Sequence, residues 1–279
     1  MIRATLADRA EVAGFLHHHL PIAMFPLANL HRHGMAGGHP RAMAFWLRKA
    51  GGAITDVAAM TDGGFLFPVC PLQPWADLRA AMQGSRVAAI LGEAGQVTGL
   101  RAALGLEQAA GHATTEPHYD LPLTGLVMPE VAGFTLRPLA DAPRDLVICW
   151  RRAYLLEKML GQESDVDATA IKDIDSYLAA DSHRVLFDGD TPVAMTGFNA
   201  VLPDAVQIGG VYTPPDLRSR GLARRAVALH LAQARAAGVT RAILFAASAA
   251  ASTAYQAIGF RRIGTFAIVL HAEPQVVHG

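Results

Sequence analysis

Apolar residues fall in two rhythms along this chain. Over residues 4–20, Leu6, Ala10, Val12, Ala13, Phe15, Leu16 and Leu20 form a loose stripe at helical spacing, the mark of an amphipathic helix. Helical character resumes after Pro26 and runs to His33. From residue 42 the rhythm shortens. Residues 42–50, 52–60 and 64–69 read as strands, the first two joined at Gly51-Gly52. A helix is expected over 75–83, a strand over 87–91 and a helix over 96–104. Residues 111–133 are rich in Pro, Gly, Thr and His, with scattered apolar positions. They mark the expected boundary between domains 1–130 and 131–279, although 119–127 reads as a candidate edge strand. Beyond them come a strand over 133–140, a helix capped by Asp141 and reaching Gly161, and a helix over 165–180. A hairpin of 183–188 and 192–202 turns at Gly189-Asp190. A strand over 206–213, a helix over 219–237, a strand over 242–247, a helix over 251–258 and a strand over 261–271 complete the order.

Composition narrows the function classes. Of 279 residues, 52% are hydrophobic and 17% charged, so the chain buries a substantial core and disorder is not expected. Lys plus Arg equals Asp plus Glu at 24 each, which leaves no overall bias toward nucleic acid. The two cysteines, Cys70 and Cys149, give neither a disulfide framework nor a metal spacing, and both are expected in the core. His17, His18 and His19 point in three directions from one helix, so no metal is expected on them. The first residues lack the basic-then-apolar order of a signal peptide, and no run approaches a membrane span of ~18 apolar residues. A cytoplasmic protein without membrane partners is the expectation.

One stretch breaks a local rule. Pro214 and Pro215 stop the strand 206–213, because proline cannot donate to a sheet ladder. The helix that follows opens with Arg218, Arg220, Arg224 and Arg225, although the positive end of a helix favours Asp or Glu. An anion held on the free N–H groups of the first turn compensates such a cluster, and Gly221 lets the backbone approach it. The loop is suited to phosphate. No Gly-x-Gly-x-x-Gly or Gly-Lys-Ser/Thr is present to suggest another phosphate-binding turn.

Arg218-x-x-Gly221-x-Ala223, between strand and helix, resembles the acetyl-CoA pyrophosphate loop of the GNAT superfamily of N-acetyltransferases. Further along, Thr253-Ala-Tyr-Gln-Ala-Ile-Gly-Phe260 resembles that family's closing signature, a tyrosine four residues before Gly-Phe. The element order over 133–273 resembles the family fold, an α/β (α+β) architecture with a mixed, mostly antiparallel sheet flanked by helices. A weaker echo lies upstream: Ala89-Ile-Leu-Gly-Glu and Leu104-Gly-Leu106 parallel Ala242-Ile-Leu-Phe-Ala and Ile258-Gly-Phe260, with Arg101 where Tyr255 stands. Coincidence between two Ala/Leu-rich units would look the same; a degenerate, related N-terminal domain is the favoured reading.

The resemblance implies acetyl-CoA as co-substrate, no metal, and a small-molecule or peptide amine as acceptor, with a homodimer left open. It implies cofactor contacts from the loop residues Arg218, Ser219, Arg220, Gly221, Leu222, Ala223 and Arg224, with arginine side chains reaching outer phosphates. Val211, Tyr212 and Thr213 would contribute main-chain groups where the strand splays from its neighbour, a departure suited to Gly209-Gly210. Tyr255 would be the general acid. Ser248 stands where the family often has an asparagine near the pantetheine. The general base is open: the loop strand offers only Gln207 and the flanking Asp204; Glu157, Glu163, Asp165 and Asp167 border the expected acceptor side; and deprotonation through ordered water is equally open. His230 reads as a packed or exposed helix residue. The expected reaction is direct acetyl transfer to a primary amine in a ternary complex. A non-catalytic acyl-CoA-binding module, or transfer of a longer acyl group, is the alternative.

Overall fold

A computed structural model describes residues 1–35, 37–107, 110–158 and 165–278. The chain divides into two compact units, Met1–Pro117 with Gly264–Gly279, and His118–Ile263. The expected division at 130/131 falls between the strands Ala110–Pro122 and Phe134–Pro138. Among the described residues no helix is long and apolar enough to cross a membrane.

In the first unit, the sheet order is β1 (Ile2–Arg3), β2 (Met43–Ala50), β3 (Ala53–Thr61), β4 (Phe65–Val69), β5 (Arg86–Glu93) and β12 (Arg261–Val276). The β2–β3 turn is Gly51-Gly52, both at positive φ, which suits a tight hairpin whose turn residues sit in the left-handed region. The helices are α1 (Arg9–His18), α2 (Leu20–His33), α3 (Trp75–Ala81) and α4 (Ala94–Leu104). Helix α2 begins earlier than Pro26 suggests. Leu20, Ala23, Met24, Leu27 and Leu30 are all buried at helical spacing, and their burial outweighs the hydrogen bond lost at Pro26. Trp46, Leu66, Ile90, Leu100 and Val269 lie in the core of this unit.

The second unit repeats the order. Strand β7 (Phe134–Pro138) leads to α5 (Arg144–Glu157) and α6 (Val166–Ala180), then β8 (His183–Asp188), β9 (Thr191–Val201) and β10 (Ala205–Tyr212). Next come α7 (Leu222–Ala236), β11 (Arg241–Phe245) and α8 (Ala249–Gln256). Strands β7 to β10 pair antiparallel, and β10 pairs β11 in parallel. Beside β11 lies the end of β6 (Ala110–Pro122), antiparallel from Arg241↔Pro122 to Phe245↔His118. Tyr119 and Leu121 turn into the core there, while Asp120 pairs with Arg241. The strand expected over 119–127 therefore ends at Pro122. The strand expected at the chain's end is β12, and from Phe266 its partner is β5. Sequence announces a strand; its partner is chosen by packing.

Two local expectations change. Asp141 lies in a single 3-10 turn, and Pro143, whose side chain has no oxygen to accept a bond, is itself the N-cap of α5. Cys149 is exposed rather than in the core, because α5 turns Val147 and Trp150 inward instead.

Candidate active site

Strands β10 and β11 run together only briefly. Their partners are Ala205↔Arg241, Val206↔Ala242 and Gln207↔Ile243. Beyond these, β11 follows β6 while β10 follows β9 to Tyr212↔Met195. The β9–β10 ladder shifts register between Gln207 and Ile208 and again between Gly209 and Tyr212. Gly210 has φ +63, a backbone that side chains disfavour. A bulge bends its strand, and the β10–β11 partners end at Gln207↔Ile243, before Ile208 to Tyr212. The Gln207 side chain is buried; its Nε2 donates to the Ile208 carbonyl at 2.6 Å, while its Oε1 has no hydrogen-bond partner among the described residues.

Along the chain, β10 leads into the start of α7. After a 3-10 turn at Pro215–Leu217, Ser219 has φ +62 and Gly221, the N-cap, has φ +72. No side chain caps α7. Its first-turn N–H groups, at Leu222, Ala223 and Arg224, have no intrahelical acceptor by construction. A left-handed Gly221 followed by right-handed Leu222 points successive N–H groups into one concavity, which favours an anion. Ser219 holds a positive φ that costs about 1–2 kcal/mol for a residue with a side chain. Strain of that kind gathers at functional sites.

The arginines are placed differently from expectation. Arg225 donates to the carbonyls of Arg220 and Glu130, each at 2.7 Å, and stacks over Phe134. Arg220 donates to the Asp216 carbonyl. Arg218 donates to the Thr213 carbonyl at 3.0 Å, pairs with Glu157 at 2.6 Å and lies over Tyr212. These three side chains brace the loop's own carbonyls, which the positive charge attracts, instead of reaching outward. Arg224 is the exception: its Nε is buried without a hydrogen-bond partner among the described residues. A Cβ on Gly221 would come within 3.1 Å of Arg225 Nη1, the tip of a flexible side chain, so it is the φ of +72 that calls for glycine here.

The remaining expected groups lie on β10 or beyond it in the chain. Val211 is half-buried; Tyr212 is buried, near Trp150, and Thr213 Oγ1 is buried without a partner among the described residues. Burial first, and then Glu157, pushes the Tyr212 phenol above its ordinary range. Ser248 is exposed and accepts from the Ala251 N–H at 3.1 Å as the cap of α8, so its oxygen serves the helix. Tyr255 is buried beside Leu244 and Ile258, edge-on to Phe260 at 6.1 Å.

Among the carboxylates, Asp167 is paired with Arg152, Asp165 is exposed at the start of α6, and Glu157 touches the loop through Arg218. The Asp204 carbonyl receives Thr240 and Arg241 at the far end of β10. Glu163 lies outside the described residues. His230 is buried, stacked on Phe198 at 3.8 Å, and burial draws its pKa down to about 3. Sequence reading missed His183, the first residue of β8, which lies buried against Gly197 and Gly210. The available signal was a histidine on a strand whose neighbours supply glycines in place of side chains.

The first unit shows the same junction filled from within. Strand β4 pairs β5 in parallel only at Phe65↔Ala89 and Leu66↔Ile90. Past that point the Cys70 N–H donates to Gln96 Oε1, and the Leu72 N–H donates to Asp56 Oδ1, each at 2.8 Å. Asp56 is fully buried. The start of α4 is capped by Glu93, which accepts from Gly95 and Gln96. Protein oxygens therefore occupy main-chain donors at this junction. Burial also drives the Cys70 thiol upward, so it stays protonated.

Residues 149–260 match the model of the acetyltransferase (GNAT) family. No curated protein sequence matches the chain. A Drosophila protein of solved structure is 12% identical with a TM-score of 0.65, over 96% of this chain and 97% of that one. A tandem GNAT protein from the clavulanic acid biosynthesis pathway is 13% identical with a TM-score of 0.55, over 98% of both chains. A GNAT-family acetyltransferase from Colwellia psychrerythraea is 10% identical with a TM-score of 0.54, over 96% and 97%. At such identities the likeness is one of fold. Residues 149–260 thus resemble the acetyltransferase (GNAT) family, in a chain whose fold is like that of a tandem GNAT protein.

Proposed function

We propose that the second unit transfers an acetyl group from acetyl-CoA to a primary amine by direct attack within a ternary complex. The observation that carries this reading is the early end of β10–β11 pairing, followed along the chain by the uncapped start of α7. A pyrophosphate on the N–H groups of Gly221, Leu222 and Ala223 would anchor the cofactor. The pantetheine would lie along Val211, Tyr212 and Thr213, with main-chain N–H groups of β10 polarising the thioester carbonyl. The neutral amine nitrogen attacks that carbonyl carbon, the C–S bond breaks, the thiolate takes the Tyr255 phenol proton, and the nitrogen's proton passes to solvent water, from which the phenol is restored. Glu157 is the carboxylate best placed to hold a cationic amine, since it already pairs with a cation at the loop. The reaction is assigned to the cytoplasm, with an amine as the only other partner. The filled junction of the first unit supports a non-catalytic role for that half.

A second reading keeps acyl-CoA binding without turnover, or with a longer acyl group. It is favoured by β10 carrying no carboxylate and by Gln207 being tied to the Ile208 carbonyl. Thiol release from acetyl-CoA across a panel of amines separates the two. Release with at least one amine, abolished by removing the Tyr255 hydroxyl, supports transfer; binding with no release supports the module.

A further inference from the structure

His183 is a group that the transfer reading leaves without a task. It is fully buried, and its ring occupies the space of two absent side chains. A Cβ on Gly197 would come within 2.1 Å of Nε2, and one on Gly210 within 2.5 Å. Gly197 is its cross-strand partner, and Gly210 is the positive-φ residue of the β10 bulge. The ring stacks on Tyr177 of α6 at 3.6 Å and 12°, while Nδ1 lies 2.9 Å from Ser182 Oγ. Nε2 is buried with no hydrogen-bond partner among the described residues. Such an atom is costly and rare in native proteins, and calls for a second state in which the bond is made.

The protonation state fits a donor. Burial, reinforced by His230 on α7, Arg151 on α5 and Arg184 on β8, draws the imidazole down to about 3. The ring is therefore neutral and carries one proton. A Ser182 hydroxyl donating to Nδ1 leaves that proton on Nε2. A phenylalanine would fill the same apolar space without any unmet bond, so packing alone does not account for an imidazole here.

We propose that His183 is a positioning residue for the reacting strand: its Nε2–H donates to a main-chain carbonyl of the Gly209–Gly210 bulge when acyl-CoA lies along β10. That bond sets the tilt of the peptide whose N–H polarises the thioester carbonyl. The inference rests on the acetyl-transfer reading above. It names what holds the bulge during the reaction, and it explains why Gly197 and Gly210 both lack side chains.

The test uses the full chain with His183→Phe, which keeps the bulk, and His183→Gln, which keeps an N–H donor near Nε2. In His183→Phe, kcat falls about 30-fold while the coenzyme A dissociation constant stays within about threefold. In His183→Gln, kcat recovers to within about fivefold of the parent. Equal kcat in all three folded proteins overturns the proposal. Equal losses in both variants, each with a lowered melting temperature, overturn it too and leave a packing role. Should His183→Phe not fold, Ser182→Ala carries the test: it releases the tautomer and lowers kcat about fivefold at unchanged coenzyme A affinity, and an unaltered kcat overturns the proposal. A parent chain that binds no coenzyme A in calorimetry would instead remove the transfer reading beneath it.

Discussion

Gln207 and Ile243 are the last residues at which β10 and β11 face each other across their parallel ladder. The cofactor placement proposed above follows from that early parting. Past Gln207, β10 bulges at Gly209–Gly210 and then runs on to the turn before α7.

Gly221 is the N-cap of that helix. Gly221→Ala places a side chain at φ +72 and a Cβ within 3.1 Å of Arg225 Nη1. Stability is expected to drop by about 1–2 kcal/mol in urea unfolding. Coenzyme A affinity should fall at least about tenfold by calorimetry, because the N–H concavity is distorted. Unchanged affinity in the folded variant would show that the loop does not hold the ligand.

Tyr255 offers a cleaner separation of binding from chemistry. Tyr255→Phe keeps the ring against Phe260 and Ile258. The expected result is a loss of kcat of about a hundredfold or more at unchanged coenzyme A affinity. A variant as active as the parent would leave the tyrosine a packing residue.

The Arg218–Glu157 pair is partly exposed on both sides. Pairs of this kind contribute less than about 1 kcal/mol, so Glu157→Gln should unfold with the parent. Arg218 then loses a competitor for phosphate, and coenzyme A affinity is expected to rise about threefold. The Tyr212 phenol should also titrate lower, since Glu157 is among the groups that raise it. Weaker coenzyme A binding in this variant would contradict the competition.

His183 and His230 predict acid sensitivity. Both are held near 3 in the folded chain by burial, against an ordinary value of 6.5. Below 6.5 the unfolded chain takes up protons that the native one refuses. Stability is therefore complete above pH 6.5 and is lost as pH falls from 6.5 toward 3. Once well inside that window, each histidine steepens the fall by about 1.4 kcal/mol per pH unit. Urea unfolding followed from about pH 7.5 to about pH 5 checks this, and a flat profile would refute it.

The strand, turn and helix around Gly221 were legible because their signals are local. Pro214-Pro215, Gly221 and the arginine run lie within a dozen residues of one another, and their spacing alone marks strand, turn and helix. What was hidden depends on distance in sequence. The partner of β12 is β5, far away in the sequence, with Phe266 facing Glu93. Arg225 and Glu130 meet through a main-chain carbonyl that no pattern announces. His183 looks like any polar strand start until Gly197 and Gly210 are seen to make room for it. Asp141 failed as a cap for a local reason, since Pro143 two residues later is itself the N-cap.

The central claim is that the open start of α7 holds the diphosphate of coenzyme A. Isothermal titration of the full chain with coenzyme A, beside dephospho-coenzyme A and pantetheine, tests it most directly. The account predicts saturable one-site binding for both diphosphate-bearing ligands and at least about a tenfold loss for pantetheine, which lacks it. No heat with any of the three, or equal affinity for pantetheine and coenzyme A, would contradict it.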